Sequence, residues 1–253
     1  MIVLKSQDEI ERMAEACRIA AEALEEIRKM IAPGITTMEL DKFAESFIVS
    51  RSAAPAFKGY RGYPASLCTS VNEQVVHGIP SMTRLKPGDI VSLDLGVYYR
   101  GFYGDTAATF PVGYVSNTAK KLIAVTAEAL NAGIESAVIG NYVFDISSAV
   151  QKYVEENRFS VVRNFVGHGI GRELHEEPQI PNFVPNSREG MGAAIMEGMT
   201  LAIEPMVNAG TWEVSILDDG WTAVTKDGSL SAHFEHTVAV TKNGPKALTK
   251  LDL

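Results

Sequence analysis

The chain has 253 residues, of which 46% are hydrophobic, and its formal net charge at pH 7 is −8. A chain of this length and composition can bury a substantial core, which argues against intrinsic disorder. The acidic balance argues against a nucleic-acid or acidic-membrane surface, because affinity for phosphates comes mainly from clustered Lys and Arg. A substrate or partner with a positively charged end is easier to accommodate.

The lack of a recognisable targeting signal and the small number of cysteines favour a cytoplasmic location. The first residues, MIVLKSQDEIERM, become charged too early for a signal peptide. Since no apolar run approaches the roughly 18 residues that span a bilayer, we expect no membrane segment. Cys17 and Cys68 are the only cysteines, so we expect no disulfide framework and a reducing compartment.

Two amphipathic helices are predicted at the start of the chain. Residues 6–9, Ser-Gln-Asp-Glu, form a capping box, and the apolar stripe that follows continues until Pro33-Gly34. A second helix is predicted to begin near Thr36-Thr37. The same order of elements returns later in the chain. Ser116 opens a helical run to Gly140, and a shorter helix is predicted over 145–157.

The two parts of the chain resemble each other weakly in sequence. Aligning Gly34 with Gly140 gives an offset of 106 residues and places Glu39 on Asp145. The later part of each half has branched, alternating residues bounded by Gly and Pro, a pattern typical of strands. This echo predicts two pseudo-symmetric halves, at about 1–115 and 116–253, within a single domain.

The sequence repeat also includes histidines and carboxylates, which can bind metals or transfer protons. The tripeptide His-Gly-Ile occurs at 77–79 and at 168–170, and in 86–94 and 196–204 a glycine precedes a carboxylate by six residues. A second acid follows in each half. The repeated candidates are His77, Asp94 and Asp105 in the first half, and His168, Glu204 and Glu235 in the second.

The acids can be read as solvated strand residues or as parts of a site. Asp94 and Glu204 both lie in strongly apolar surroundings, where an unpaired charge is costly, and this favours a site. A tight turn centred between Tyr99 and Arg100 would set Asp94 opposite Asp105 on one sheet face. The same reasoning pairs Glu204 with Glu235. Four converging carboxylates repel one another unless cations lie between them, so the pattern predicts two divalent metals.

Two histidines lie seven residues apart in the stretch VGHGIGRELHEEPQI, which spans 166–180. His175-Glu176 resembles the start of the zinc motif HExxH, but Glu177-Pro178-Gln179 follows and supplies no second histidine. A glycine-flanked histidine is more often structural than a ligand. Four of the five histidines, however, lie between 168 and 236, among the candidate acids. We therefore assign His168, and less firmly His175, to the site.

Five motifs, in this order, resemble those of the type I methionine aminopeptidases of bacteria: TSVNEQVVHGIP, LDLGVYYRGFYGDTA, VGHGIGRELHEEP, MTLAIEPMV and DGWTAVTKDGSLSAHFEHTVAV. The resemblance covers nearly the whole chain. It implies an α+β pita-bread fold, in which two pseudo-symmetric halves with curved antiparallel sheets are backed by helices in a single catalytic domain of residues 1–253. It also implies removal of the N-terminal methionine from nascent proteins and peptides whose second residue is small.

The resemblance implies a role for individual residues. The two divalent metals would be held by Asp94, Asp105, His168, Glu204 and Glu235, with Asp105 and Glu235 bridging them. Glu204 would also accept the proton of the attacking water, and His77 and His175 would contact the substrate and the tetrahedral intermediate. The pocket for the methionine side chain would be lined by Tyr60, Tyr63, Cys68, Leu174 and Trp221. A monovalent cation is expected near Asn72 and Ser231.

The resemblance is less specific about the metal, the partners and the oligomeric state. The oxygen-rich ligand set suits Mn, Fe or Co, with Zn as a further candidate. Nascent polypeptide N-termini are the expected partners, the ribosome is a further candidate, and a monomer is the expected state. Leu174 stands where many relatives carry phenylalanine, and His233 where some carry glutamine. We therefore expect differences in pocket shape and in the hydrogen bonding beside Glu235.

Two alternative functions stay open at this point. One is an X-Pro aminopeptidase or prolidase, although those relatives usually carry an extra N-terminal domain and only a short segment precedes Ser6 here. The other is a metal-free pita-bread protein that binds peptides. Loss of a metal ligand would mark such a protein, whereas all five ligand positions are filled in this sequence.

Overall fold

The computed structural model describes residues 1–185 and 190–251, which contain four α-helices and fourteen β-strands. The helices are α1 (Gln7–Met30), α2 (Thr37–Ser50), α3 (Asn117–Glu135) and α4 (Val143–Glu156). The strands of the first half are β1 (Ala54–Pro55), β2 (Cys68–Val71), β3 (Ile90–Tyr99) and β4 (Phe102–Pro111). Those of the second half are β5 (Ser160–Val161), β6 (Val166–Gly169), β7 (Glu176–Pro181), β8 (Thr200–Ile203), β9 (Met206–Asn208), β10 (Val214–Ile216), β11 (Ala223–Thr225), β12 (Ser231–His233), β13 (Glu235–Thr241) and β14 (Gly244–Ala247). Within the described ranges, no helix combines the length and the apolarity needed to cross a membrane.

Capping side chains define the starts of α1 and α2, as the sequence predicts. The Ser6 hydroxyl accepts the backbone N–H of Glu9, whose carboxylate accepts the N–H of Ser6 at 2.9 Å. Thr36 and Glu39 repeat this reciprocal pair at the start of α2. Each pair satisfies two backbone N–H groups that the first helical turn leaves without partners.

The predicted bounds of the third and fourth helices were wrong by a few residues. α3 ends at Glu135, five residues before the predicted Gly140, because the Ser136 carbonyl accepts the Asn141 side chain at 3.0 Å instead of continuing the helix. α4 begins at Val143, two residues early. Asp145, the predicted start, lies inside the first turn, and its carboxylate accepts the N–H of Tyr142 at 2.7 Å.

The offset of 106 residues recurs in the geometry of the helices. α2 and α4 each have 14 residues, and their starts at Thr37 and Val143 are 143 − 37 = 106 positions apart. The aligned glycines also share a backbone conformation, since Gly34 has φ 96° and Gly140 has φ 99°. Both glycines therefore occupy the left-handed region, where a residue with a side chain is strained.

Strands from both halves join in one nine-stranded sheet. Its strand order is β1-β3-β4-β13-β8-β6-β7, with β2 paired to β3 and β14 paired to β13, and all these pairs are antiparallel. β12, β9 and β5 form a three-stranded sheet, and β10 pairs with β11. The two halves meet where β4 pairs with β13.

The helices cover one face of the large sheet. Side chains alternate between the faces of a strand, and Val91, Leu93, Leu95 and Val97 of β3 pack with residues of α1 and α2. In the second half, residues of β8 and β13 such as Leu201 pack with α3 and α4. Intervening residues, including Asp94, therefore point to the opposite face.

The predicted register of the β3–β4 hairpin was wrong. Asp94 pairs with Ala107, and Asp105 pairs with Gly96, so the two acids are diagonal neighbours. The turn is centred between Arg100 and Gly101, one residue later than predicted, and both residues have positive φ, as a type I′ turn requires. The two carboxylates still share a face, because the register change moves each pairing by an even number of residues.

Candidate functional site

The sheet register brings three acids together on the face away from the helices. Asp94 of β3 pairs with Ala107 of β4, which in turn pairs with Glu235 of β13. Asp105 lies two residues before Ala107, so its side chain points to the same face. All three acids are buried, with at most 9% of each residue exposed. The first half thus supplies two carboxylates and the second half a third.

His168 and Glu204 reach this face from the other side of β13. Thr237 of β13 pairs with Ala202 of β8, and Ala202 pairs with His168 of β6. Glu204 lies two residues beyond Ala202, directly after β8, and thus shares the face with His168. The His168 Nε2 and Glu204 Oε1 atoms are 3.6 Å apart. The structure therefore brings together all five residues that the resemblance assigned to metal binding.

The buried acids carry an electrostatic cost. Burial raises the pKa of the Asp105 carboxyl from 3.8 to about 7. Burial first, and repulsion from neighbouring carboxylates second, raises the pKa values of Asp94, Glu204 and Glu235 well above their ordinary range. Without a cation, the four acids can reduce this repulsion only by holding protons.

The same acids have oxygen atoms without hydrogen-bond partners. Among the described residues, Asp94 Oδ1, Asp105 Oδ1 and Glu235 Oε1 are buried and unpaired. One ligand atom each of Asp105, His168 and Glu235 lies within 4.8 Å of the others. A divalent cation would satisfy these oxygens and offset their charge, so the residues present fit metal binding.

The tautomer of His168 also fits a ligand role. Its Nδ1 atom is 2.8 Å from the carbonyl oxygen of Gly169, so Nδ1 carries the proton and donates it. Burial lowers the pKa of His168 to about 4, so the ring is neutral at pH 7. The Nε2 lone pair therefore faces the acids, as metal coordination by a neutral imidazole requires.

The other two predicted site histidines lie around the acids. His175 is the last residue of the loop between β6 and β7, and its ring centroid is 4.2 Å from that of His168. Its Nδ1 atom is 2.8 Å from the hydroxyl of Tyr60. His77 is not on a strand, unlike His168, and its φ of 60° is in the left-handed region. Its ring packs edge-on against Phe165.

A cavity of about 150 Å³ opens above the acids. Its walls contain every pocket residue implied by the resemblance, namely Tyr60, Tyr63, Cys68, Leu174 and Trp221. Tyr63 is fixed by donating a hydrogen bond to the Gly78 carbonyl at 3.0 Å, and it contacts the edge of Trp221. Burial raises the pKa of the Cys68 thiol well above its usual value, so the thiol is protonated and apolar in character. The cavity thus has apolar, aromatic walls and an acidic floor.

Sequence reasoning missed Phe57 and Arg61, which also line the cavity. Arg61 lies between Tyr60 and Gly62 with φ 49°, and the flanking glycines were the signal for a turn there. The Nε2 atom of His233 is 3.7 Å from Glu204 Oε2, and an effect of His233 on the hydrogen bonding beside Glu235 stays a prediction. β12 ends at His233, and the intervening Phe234 leaves the strand before β13 begins.

Asn72 and Ser231, expected near a monovalent cation, are neighbours. The Ser231 N–H donates to the Asn72 carbonyl at 2.9 Å. The Asn72 side chain is already engaged, because its oxygen accepts the N–H of Ile90 and its amide donates to Asp89. Cation binding here stays a prediction.

The comparisons with a family model, with known relatives and with solved structures agree with one another. A family model described as metallopeptidase family M24 matches residues 11–242. A methionine aminopeptidase from Clostridium perfringens is 55% identical over 249 residues, which cover 98% of this chain and 99% of that protein. Methionine aminopeptidase 1 of Bacillus subtilis is 51% identical over 251 residues, which cover 99% and 100% of the two chains. The crystal structure of methionine aminopeptidase from Thermotoga maritima matches with a TM-score of 0.95 and 48% identity, covering 99% of this chain and 100% of that chain.

Proposed function

The chain belongs to metallopeptidase family M24, and from this membership we propose that it is a metal-dependent aminopeptidase that removes the N-terminal methionine from polypeptides. The likeness to solved structures also confirms the α+β pita-bread fold. The observation that carries the proposal is the cavity floor. There, buried carboxylates with unpaired oxygens face the neutral imidazole of His168 below apolar walls.

Five residues would hold two divalent cations at this floor: Asp94, Asp105, His168, Glu204 and Glu235. We propose that both ions would share Asp105 and Glu235, each of which has a ligand atom within 4.8 Å of a ligand atom of His168. When bound, the ions would polarise the scissile carbonyl and lower the pKa of water. Oxygen ligands dominate the set, which supports Mn²⁺, Fe²⁺ or Co²⁺, with Zn²⁺ as a further candidate.

The proton transfers fall to residues of the chain itself. Glu204 would accept the proton of the attacking water and deliver it to the leaving amine. Its raised pKa supports this role, because a carboxyl that is protonated more readily can both take and return a proton. His233, 3.7 Å from the other Glu204 oxygen, is neutral at pH 7, since burial lowers its pKa to about 3. His233 therefore lies beside Glu204 without adding charge.

Histidines at the cavity mouth would stabilise the tetrahedral intermediate. The Tyr60 hydroxyl can donate to Nδ1 of His175, which leaves the Nε2 N–H free to donate to the substrate. Burial, and then repulsion from His168, lowers the pKa of His175, so the ring acts as a neutral donor. His77 would donate from the opposite wall, beside Trp221.

The cavity would select methionine through its walls and its charge. Tyr60, Tyr63, Cys68, Leu174 and Trp221 offer the aromatic and sulfur contacts that suit a flexible, polarizable thioether. The acidic floor favours the positively charged α-amine. A small second residue fits best because the cavity is small, about 150 Å³ in volume.

The alternatives have less support. Identity to methionine aminopeptidases of 45–55% extends over at least 97% of the chain, which favours this activity over a prolidase or X-Pro aminopeptidase. A metal-free peptide-binding role leaves the unpaired buried oxygens unexplained. We further propose a cytoplasmic protein that acts on nascent polypeptides as a monomer. Two free, buried cysteines support a reducing compartment, and ribosome association belongs to the same proposal.

A peptide panel tests the proposed function. Metal-depleted protein, with and without added Mn²⁺ or Co²⁺, would be incubated with Met-Ala-Ser, Met-Lys-Ser and Ala-Pro peptides. Metal-dependent release of methionine from Met-Ala-Ser alone is expected. Cleavage of only the proline peptide would replace the proposal by a prolidase activity, and absence of turnover with any metal would favour a binding protein.

A further inference from the structure

We propose that Lys5 and Glu176 form a buried ion pair that positions the loop of residues 171–175, and with it Leu174 and His175, at the cavity. This inference rests on the proposed function for its effect on catalysis, although the structural part stands without it. It also gives Glu176 a role that the HExxH comparison did not supply. Both are positioning residues, since neither lines the cavity among the described residues.

The pair is almost completely withdrawn from solvent. The Lys5 ammonium contacts one carboxylate oxygen of Glu176, and the two side chains are only 3% and 8% exposed. Lys5 also donates to the Val3 carbonyl at 3.1 Å. A buried charge that loses its partner is strongly destabilising, so each of the two residues needs the other.

The second oxygen of the Glu176 carboxylate holds the loop. Glu176 Oε1 accepts the backbone N–H of Arg172 at 2.8 Å and that of Glu173 at 3.2 Å. The loop is anchored at its start as well, because the Tyr103 N–H donates to the Gly171 carbonyl at 2.8 Å. The loop conformation therefore depends on a carboxylate whose charge Lys5 balances.

Two glycines make room for the lysine. A Cβ on Gly171 would overlap Lys5 Cε and lie 2.7 Å from Glu176 Oε1, so a side chain there would require the ends of Lys5 and Glu176 to shift. A Cβ on Gly198 would lie 2.6 Å from the Lys5 carbonyl oxygen, and the Lys5 N–H donates to the Gly198 carbonyl. The backbone on both sides thus fits the lysine closely.

The held loop carries two residues of the cavity. Leu174 is buried in the core cluster that includes Ile10 and Met13 of α1, and it forms part of the cavity wall. His175 is more exposed, and its ring contacts Tyr60 and His168. Displacement of the loop would move both side chains, and small displacements of catalytic groups are costly to the rate.

Limited proteolysis tests the loop without any assay of activity. Arg172 is exposed, and its bond to Glu173 lies between the two N–H groups that Glu176 holds. Wild type should resist trypsin at this bond. Lys5→Met and Glu176→Gln should each accelerate cleavage into fragments 1–172 and 173–253 by roughly tenfold, because the open loop becomes more populated. Lys29→Met, which removes an exposed pair with Glu26, is the matched control and should behave as wild type.

Kinetics with Met-Ala-Ser and added Mn²⁺ extend the test to catalysis. Each single variant should lower kcat by about 10- to 100-fold, with KM less affected, because His175 acts on the intermediate. The double variant K5M/E176Q should lose less than the product of the two single losses, since it leaves no unpaired charge. If Lys5→Met does not fold, the rate of tryptic cleavage and the kcat of Glu176→Gln test the positioning role.

The positioning role would be overturned if the single variants were cleaved by trypsin at the wild-type rate and kept the wild-type kcat. It would also be overturned if the loss of kcat in the double variant equalled the product of the two single losses. Failure of wild type to release methionine would instead contradict the proposed function. In that case the tryptic cleavage pattern still reports on the loop alone.

Discussion

At the residue scale, the site is defined by carboxylates that cannot be neutralised by the surrounding protein. Asp94, Asp105 and Glu235 are buried and each has an oxygen atom without a partner among the described residues, while the side chain of Glu204 is 14% exposed. Lys and Arg, which usually balance buried acids, do not take part in the described ion pairs of these residues; only His168 and His233 do. Cations supplied from outside the chain account for this arrangement.

Asp105→Asn tests this explanation at a single residue. The substitution keeps the shape of the side chain but removes a charge and a ligand oxygen. Turnover of Met-Ala-Ser should fall by more than the roughly 10- to 100-fold loss typical of residues that only support a metal ligand. Metal-free D105N should melt no lower than metal-free wild type, because one repelling charge is gone. Steady-state kinetics measures the turnover, and thermal unfolding measures the melting temperature.

Asp8→Asn is the matched control for this prediction. Asp8 is exposed on α1, and its ion pair within the described part of the chain is with Arg12, so its substitution should leave turnover and metal affinity unchanged. Near-normal turnover in folded D105N would contradict the assignment of Asp105 as a shared ligand.

At the element scale, the site depends on strand alternation and on one turn. Alternation was readable from the sequence, because Val91, Leu93 and Leu95 flank Asp94 and predict its opposite orientation. The strand register could not be read from the sequence, since the positive φ of Arg100 and Gly101 selects a type I′ turn one residue from the predicted centre. The starts of α1 and α2, where capping boxes form, were predicted correctly. The end of α3 was not predicted correctly, because the Asn141 side chain bonds to the carbonyl of Ser136, five residues earlier, and the apolar pattern did not indicate this contact.

Gly104→Ala tests the fit between α1 and the sheet beneath the site. A Cβ at Gly104 would lie 2.6 Å from the backbone nitrogen of Cys17, so α1 would have to move away from β4. The free energy of unfolding should fall by about 1–3 kcal/mol or more, as in overpacked cores. Urea unfolding measures this loss, and turnover should also decrease because Asp105 is adjacent.

Gly34→Ala provides the comparison for that prediction. Gly34 has φ 96° and open space around its Cα, so alanine there incurs only the backbone cost of about 1–2 kcal/mol. Equal losses in the two variants would mean that the approach of Cys17 adds nothing to the cost at Gly104.

At the scale of the whole molecule, the site lies where the two halves meet. Asp94 and Asp105 come from the first half, and His168, Glu204 and Glu235 come from the second. The repeated pattern predicted which residues would converge. It did not predict Phe57 or Arg61 in the cavity, because loop conformations depend on contacts that no sequence period encodes. It also gave no sign of the pairing between Lys5 and Glu176, which are 171 positions apart.

Metal binding should stabilise the whole chain in a pH-dependent way. The raised pKa of Asp105, about 7, means that the metal-free folded state keeps a proton that must leave before a cation binds. His168, with a pKa of about 4, has already lost its proton at pH 5. The gain in unfolding free energy from Mn²⁺ should therefore be larger at about pH 7 than at about pH 5, by roughly 2.7 kcal/mol per displaced proton.

Urea unfolding at the two pH values, with chelator and with saturating Mn²⁺, measures this difference directly. Taking the gain at each pH removes the opposing effect of the buried histidines, which are neutral in the folded chain but ionise near their ordinary pKa of 6.5 in the unfolded chain. An equal gain at both pH values would contradict the raised pKa of the acids.

The central claim is that the five side chains at the cavity floor hold divalent metal. Anomalous X-ray diffraction from crystals equilibrated with Mn²⁺ tests it most directly. The account predicts anomalous density among Asp94, Asp105, His168, Glu204 and Glu235. Crystals that contain Mn²⁺ elsewhere, but show no anomalous density among these five residues, would contradict it.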